Sequence, residues 1–286
     1  MNVDNRIEEV VTACCGTGSA RQKEIFASFI RHLYGFVADI CPTDDEWMET
    51  IQYLTSVGQK CDDKRQEFIL LSDVLGVTAL KDDLNNLKSE DATETSVLGP
   101  FYREGVKTFP LGSSISNGKE DGERCLVKGR VTDTNGKPIA GALVDVWQAA
   151  VNGLYEQQDE SQPDMNLRGC FETDEEGYYF LETVKPKYYP IPKDGPVGTL
   201  LDKLGRHNYR PAHIHFIVSS EGFEPVVTQY FDKQSKYIDS DSVFGVKPSL
   251  LIDFESVKEK GEYSSVVLSK GDWTATCNFV LASVKV

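Results

Sequence analysis

Apolar residues recur at spacings of three and four through the first ninety positions. Ile7, Val10, Val11 and Cys14 form one stripe, and Ile25, Phe26, Phe29, Ile30, Leu33, Tyr34 and Val37 form a second. Such spacing predicts amphipathic helices. Pro42 interrupts the pattern, and Thr43 with Glu46 makes a capping box that opens a third stripe of Trp47, Ile51, Leu54 and Val57. A fourth helix is expected from about Asp62 through Phe68, Ile69 and Leu71 towards Gly76, and a shorter one around Leu80, Leu84 and Leu87. From about Ser89 to Arg124 the periodicity fades. Gly99-Pro100, Pro110-Leu111-Gly112 and Ser116-Asn117-Gly118 mark this stretch as loop.

Beyond it the period becomes two. Strands are predicted at 125–131, 143–147, 169–173, 178–182, 213–218, 226–231, 264–268 and 274–284, with a turn at 133–138 around Asn135-Gly136. Many short strands joined by turns read as a sandwich or barrel. The fold expected is mainly β: a helical region over 1–92, a connecting segment over 93–124, and an antiparallel β-sandwich over 125–286. A helical arm of this size suits dimerisation, or simply packs on its own chain.

Composition narrows the function classes. With 40% hydrophobic and 26% charged residues in 286, a sizeable core is available. The formal charge of −15, with no Lys/Arg-rich block, argues against nucleic acid and anionic lipid as partners. No apolar run approaches a membrane span and the N-terminus lacks a signal-peptide pattern, so a cytoplasmic protein without membrane insertion is expected. The seven cysteines, Cys15 among them, include no CxxC pair and read as free thiols.

Histidine is scarce, and His207, His213 and His215 fall within nine residues. In RPAHIHF, strand alternation puts His213 and His215 on one face with Cα atoms about 7 Å apart, so both imidazoles can converge on one metal. Ordinary strands also carry this pattern. His32 reads as a partly buried helix residue and His207 as a loop residue. Further ligands must be Asp, Glu, Cys or Tyr; phenolate oxygens favour Fe(III), whereas two histidines with a carboxylate suit ferrous oxygenases. Twelve tyrosines are present, and composition does not select among them.

Longer motifs do. VKGRVTDTNGKPIAGALVDVWQAAVNGLY (127–155), NLRGCFETDEEGYYF (166–180) and YPIPKDGPVGTLLDKLGRHNYRPAHIHF (189–216) resemble the intradiol ring-cleavage dioxygenases over most of the β half. EFILLSDVLG (67–76) resembles the subset acting on catechol or hydroxyquinol. The resemblance implies a non-haem Fe(III) cofactor held by Tyr155, Tyr189, His213 and His215. It also implies an aromatic diol and O₂ as substrates, with Tyr189 doubling as base. Arg210 and Gln229 then favour negative charge building on the substrate. Leu70, Asp73, Val97, Gly99, Phe101, Ile191, Pro192 and Val243 are placed around the substrate. Asp73 and Phe101 look like hydroxyquinol enzymes, while Leu98 departs from them. Tyr188 is the adjacent decoy and is read as packing. The family's helical halves form homodimers, some around a bound lipid. Two rivals are a cupin-like site, which lacks its later histidine, and a non-catalytic sandwich module.

Overall fold

The computed structural model describes residues 3–14, 18–62, 65–86, 91–117 and 122–284. Cys15, Leu87, Ser89 and Gly118 lie outside them. The helices are α1 (Val3–Cys14), α2 (Ala20–Ile40), α3 (Asp44–Gln59), α4 (Glu67–Val74), α5 (Val77–Asn85) and α6 (Pro196–Lys203). The strands run β1 (Arg124–Asp133), β2 (Leu143–Trp147), β3 (Arg168–Glu172), β4 (Tyr178–Val184), β5 (Tyr189–Pro190), β6 (Tyr209–Arg210) and β7 (His213–Ser219). They continue as β8 (Val226–Asp232), β9 (Leu251–Ile252), β10 (Phe254–Ser256), β11 (Gly261–Tyr263), β12 (Val266–Leu268), β13 (Trp273–Thr276) and β14 (Phe279–Leu281). Among the described residues, no helix is long and apolar enough to cross a membrane.

Compactness divides the chain into Met1–Ser56 and Val57–Val286. In the first unit α1 packs on α2, and Arg31 pairs with Glu8 at 3.1 Å. The capping box expected before α3 is present: the Thr43 amide donates to Glu46 Oε2, and the Glu46 amide to Thr43 Oγ1. Much of the apolar stripe is on the surface, with Phe26, Phe29, Phe36, Ile40 and Trp47 each more than half exposed. His32 is exposed too, contrary to the partly buried position expected. Its ring Nδ1 reaches only back along the helix, 2.8 Å from the Ser28 carbonyl oxygen.

In the second unit two five-stranded sheets face each other. One runs β10-β13-β1-β14 with β4 also on β1; the other runs β3-β2-β7-β8-β9. Val127, Val131 and Leu181 from the first interdigitate with Val144, Phe171, Ile214 and Phe216 from the second in one buried core. The expected sandwich is thus present, but its sheets are mixed, because β1 pairs in parallel with β13 and β14, and β8 with β9. The single strand predicted over 274–284 is two strands. At the break, Asn278 Oδ1 rather than a main-chain carbonyl accepts the Arg130 amide, at 2.9 Å.

The fourth helix starts at Glu67 rather than near Asp62. Asp62 instead closes a turn, accepting the Arg65 amide at 2.8 Å. α6 was not foreseen from the pattern. Its eight residues are too few for a clear period, although Gly195-Pro196 opens it and Val197 and Leu201 are buried. α4 meets α6 through Glu67, which is fully buried, pairs with Arg65 at 2.7 Å and accepts the Val197 amide at 3.2 Å. Since α4 carries Leu70 and Asp73, this contact places one wall of the site. Glu67→Ala strands both the Arg65 guanidinium and the Val197 amide, so urea denaturation should show a loss on the order of 3 kcal/mol; a loss below about 1 kcal/mol would contradict that anchoring.

Candidate active site

Alternation on β7 turns His213 and His215 into the same interior, where both are buried. Two shorter elements bring tyrosines to them. Tyr155 ends the loop after β2 and precedes a one-turn 3₁₀ helix, with its amide donating to Gln158 Oε1 at 3.1 Å. Tyr189 lies on β5, which pairs with β6 in the register Tyr189 to Arg210. Gly153 lets these loops meet: its φ is +85°, and a Cβ there would sit 3.0 Å from Tyr189 Cβ.

Four donor atoms converge as a closed ring. Tyr155 Oη is 3.2 Å from Tyr189 Oη, which is 3.5 Å from His213 Nε2; that nitrogen is 3.2 Å from His215 Nε2, which is 3.1 Å from Tyr155 Oη. Atoms each about 2.1 Å from one shared ion have this mutual spacing. Protonation fits as well. The His213 Nδ1–H donates to the Pro211 carbonyl at 2.7 Å, which leaves its Nε2 lone pair facing the ring. Burial, reinforced by Arg210, pushes His213 down to about 3, and burial with the neighbouring His213 holds His215 well below its usual range, so both imidazoles are neutral ligands at physiological pH. Burial raises both phenols, Tyr155 further by its neighbour Tyr189. A cation of high charge is what would draw off their protons. Two imidazoles with two hard phenolate oxygens suit Fe(III). Among the described residues, no group of three His, Cys, Asp or Glu offers a competing metal site.

The walls are apolar and aromatic. Phe101 stacks on Tyr155 with ring centres 4.6 Å apart. Trp147, the cross-strand neighbour of His215 on β2, lies parallel to it at 4.8 Å. One small cavity beside the ring is lined by Leu70, Asp73, Val97, Gly99, Phe101, Ile191, Pro192, Arg210 and Val243, the positions that the resemblance places around substrate, together with Pro100. Gln229, opposite His215 in the register of β8, sits behind it and accepts Arg210 Nη2–H at 2.8 Å. Burial raises the Asp73 carboxyl. Arg210 is buried; burial alone would lower its guanidinium, but Asp241 opposite carries it above its ordinary value. Tyr188 stays outside, half exposed against Tyr209 and Tyr237, and His207 joins that same surface cluster.

Comparison with known proteins agrees with this arrangement. A family model described as Dioxygenase matches residues 97–270, and one described as Catechol dioxygenase N terminus matches 19–93. Hydroxyquinol 1,2-dioxygenase of Rhizobium sp. (strain MTP-10005) is 50% identical over 278 residues, 96% of this chain and 94% of that one. The chain belongs to the intradiol ring-cleavage dioxygenase family. The solved hydroxyquinol 1,2-dioxygenase from Pseudomonas putida DLL-E4 superposes with a TM-score of 0.93 at 42% identity, covering 99% of both chains. Catechol 1,2-dioxygenase of Candida albicans is 40% identical over 88% of this chain and 84% of that one.

Motif spacing does not reveal every residue packed about this dioxygenase's site. Trp147 was missed, although a large aromatic opposite an H-x-H strand is a usable signal. Arg168 was missed as well: buried, it pairs with Glu156 at 2.8 Å and has its guanidinium 5.9 Å from the Tyr155 ring centre. Gly99 lies against His215. Its φ is +76°, and a Cβ would stand 3.3 Å from His215 Cε1. Gly99→Ala should therefore cost about 1–2 kcal/mol in backbone strain and weaken metal uptake by displacing His215. Thermal melts and iron titration check this, and wild-type values in both would refute the contact's importance.

Proposed function

We propose that this dioxygenase is a non-haem Fe(III) enzyme that cleaves hydroxyquinol between its two adjacent hydroxylated carbons, placing both atoms of O₂ in a maleylacetate-type dicarboxylic product. The observation that carries the reading is the closed ring of Tyr155, Tyr189, His213 and His215 beside a cavity that contains Asp73. When bound, a ferric ion would supply the Lewis acidity that lets the diol bind as its doubly deprotonated, electron-rich diolate. The chain's own groups do the rest. Tyr189 Oη, as phenolate, takes a proton from the incoming diol. Arg210 favours negative charge as it grows on the substrate, and Gln229 supports it by accepting from the guanidinium. Leu70, Ile191, Pro192 and Val243 hold the ring and exclude water.

Asp73 distinguishes the diols. It is buried, and its carboxyl accepts a hydrogen bond from the third hydroxyl of hydroxyquinol, which catechol lacks. The relative at 50% identity is named for hydroxyquinol. Catechol is the second reading, favoured by the Candida albicans relative. The exposed apolar face of α2 and α3 supports a homodimer formed through the N-terminal helices, with lipid as a further occupant of that face. The acidic charge fits a cytoplasmic enzyme that binds neither nucleic acid nor membrane.

Oxygen uptake with hydroxyquinol and catechol side by side, with each product identified, tests the reading; turnover of neither diol by iron-loaded protein would refute it. Tyr189→Phe should lower kcat about 100-fold or more, as expected for loss of a positioned base, and undiminished turnover would remove that role. Asp73→Ala should lower kcat/KM at least about 10-fold more for hydroxyquinol than for catechol. Equal losses would count against the assigned contact.

A further inference from the structure

Arg210 is held from two sides, and only one of them belongs to the cavity. Towards the donor ring, Nη1 reaches His213 Nε2 at 3.0 Å and Nη2 donates to Gln229 Oε1 at 2.8 Å. On the other side Asp241 takes the guanidinium edge in a fork, with Nε donating to Oδ1 and Nη2 to Oδ2, each at 3.0 Å. The same carboxylate accepts the Val243 amide on Oδ1 at 3.3 Å and the Gly245 amide on Oδ2 at 3.0 Å. Ser96 Oγ–H closes the loop by donating to the Gly245 carbonyl at 2.7 Å. Asp241 is 6% exposed and Arg210 3%. Asp241 does not line the cavity that Arg210 lines.

We propose that Asp241 is a positioning residue for ring cleavage: its fork fixes the plane of the Arg210 guanidinium, so that the cation faces the reacting diol in one orientation. This rests on the reading of Arg210 given under Proposed function. A planar five-donor group on a flexible stem is aimed only when both ends of its fork are held. Gln229 holds it on the reacting side alone. A second buried carboxylate, Asp73, lines the same cavity, and its ionisation already feels the charge of Arg210. Without Asp241 the outer edge of the fork is unheld, and a guanidinium free to turn about its stem no longer presents one plane to the cavity. Burial would raise the Asp241 carboxyl, but Arg210 more than offsets this, and the pair stays ionised.

A double-mutant cycle on the iron-loaded full chain tests the inference. Arg210→Gln should lower kcat on hydroxyquinol about 100-fold or more, the scale of losing a donor aimed at developing charge. Asp241→Asn should lower kcat at least about 10-fold with KM within about 3-fold of wild type, and iron content and the visible absorption of the resting enzyme should be unchanged. In the Arg210→Gln background, adding Asp241→Asn should change kcat less than about 2-fold, because the part of its effect that reaches turnover passes through the missing guanidinium and not through the Val243 and Gly245 amides. Should Asp241→Asn alone fail to fold, the doubly substituted chain, which leaves no unpaired buried charge, carries the comparison against Arg210→Gln. Equal fold-losses from Asp241→Asn in both backgrounds, or loss of iron in that variant, would overturn the positioning role while leaving the role of Arg210 intact. Wild-type kcat in Arg210→Gln would overturn both.

Discussion

Four buried acceptor and phenol atoms are held within 3.5 Å of their neighbours around a closed ring, and this crowding organises the rest of the second unit. Two imidazole Nε2 atoms stand 3.2 Å apart in a place where burial keeps both rings neutral. Such an arrangement is sustained by groups that aim each ring independently. Pro211 fixes the His213 tautomer, Trp147 stacks on His215, and Phe101 stacks on Tyr155. In the proposed ferric centre two phenolates would neutralise most of the ion's charge, which the low-dielectric surroundings require.

The buried charges near the ring obey the same economy. Arg168 is matched by Glu156, which Arg103 shares, and Arg210 by Asp241, so neither buried cation is left without a carboxylate. Their Coulomb fields still reach the phenols: Arg210 and Arg168 both work against the rise that burial imposes on Tyr155. The carboxyl of Asp73 is different. Burial raises it, while a hydrogen bond from Thr78 and the charge of Arg210 pull the other way.

How much of this could be read along the chain depends on the distance over which each feature is set. His213 and His215 follow from period-two alternation within one strand. Tyr155 and Tyr189 do not: 34 residues separate them, and only the pairing of β5 with β6 and the turn at Gly153 bring their hydroxyls to 3.2 Å. Their assignment came from longer motifs. The helices with clear stripes were legible, and α6 was not, because eight residues carry little period. The strand break at Asn278 was hidden since its side-chain oxygen stands in for a main-chain carbonyl towards Arg130, 148 residues earlier in sequence. Asp241 gave no local signal either; its meaning lies in a guanidinium 31 residues earlier.

The visible absorption spectrum of the purified chain titrated with ferric ion tests the central claim most directly. Two phenolates on one Fe(III) predict a burgundy protein, with a broad charge-transfer band that grows to one equivalent of iron and is lost when Tyr155 and Tyr189 are both replaced by Phe. Stoichiometric iron bound by a colourless protein would contradict the four-donor centre.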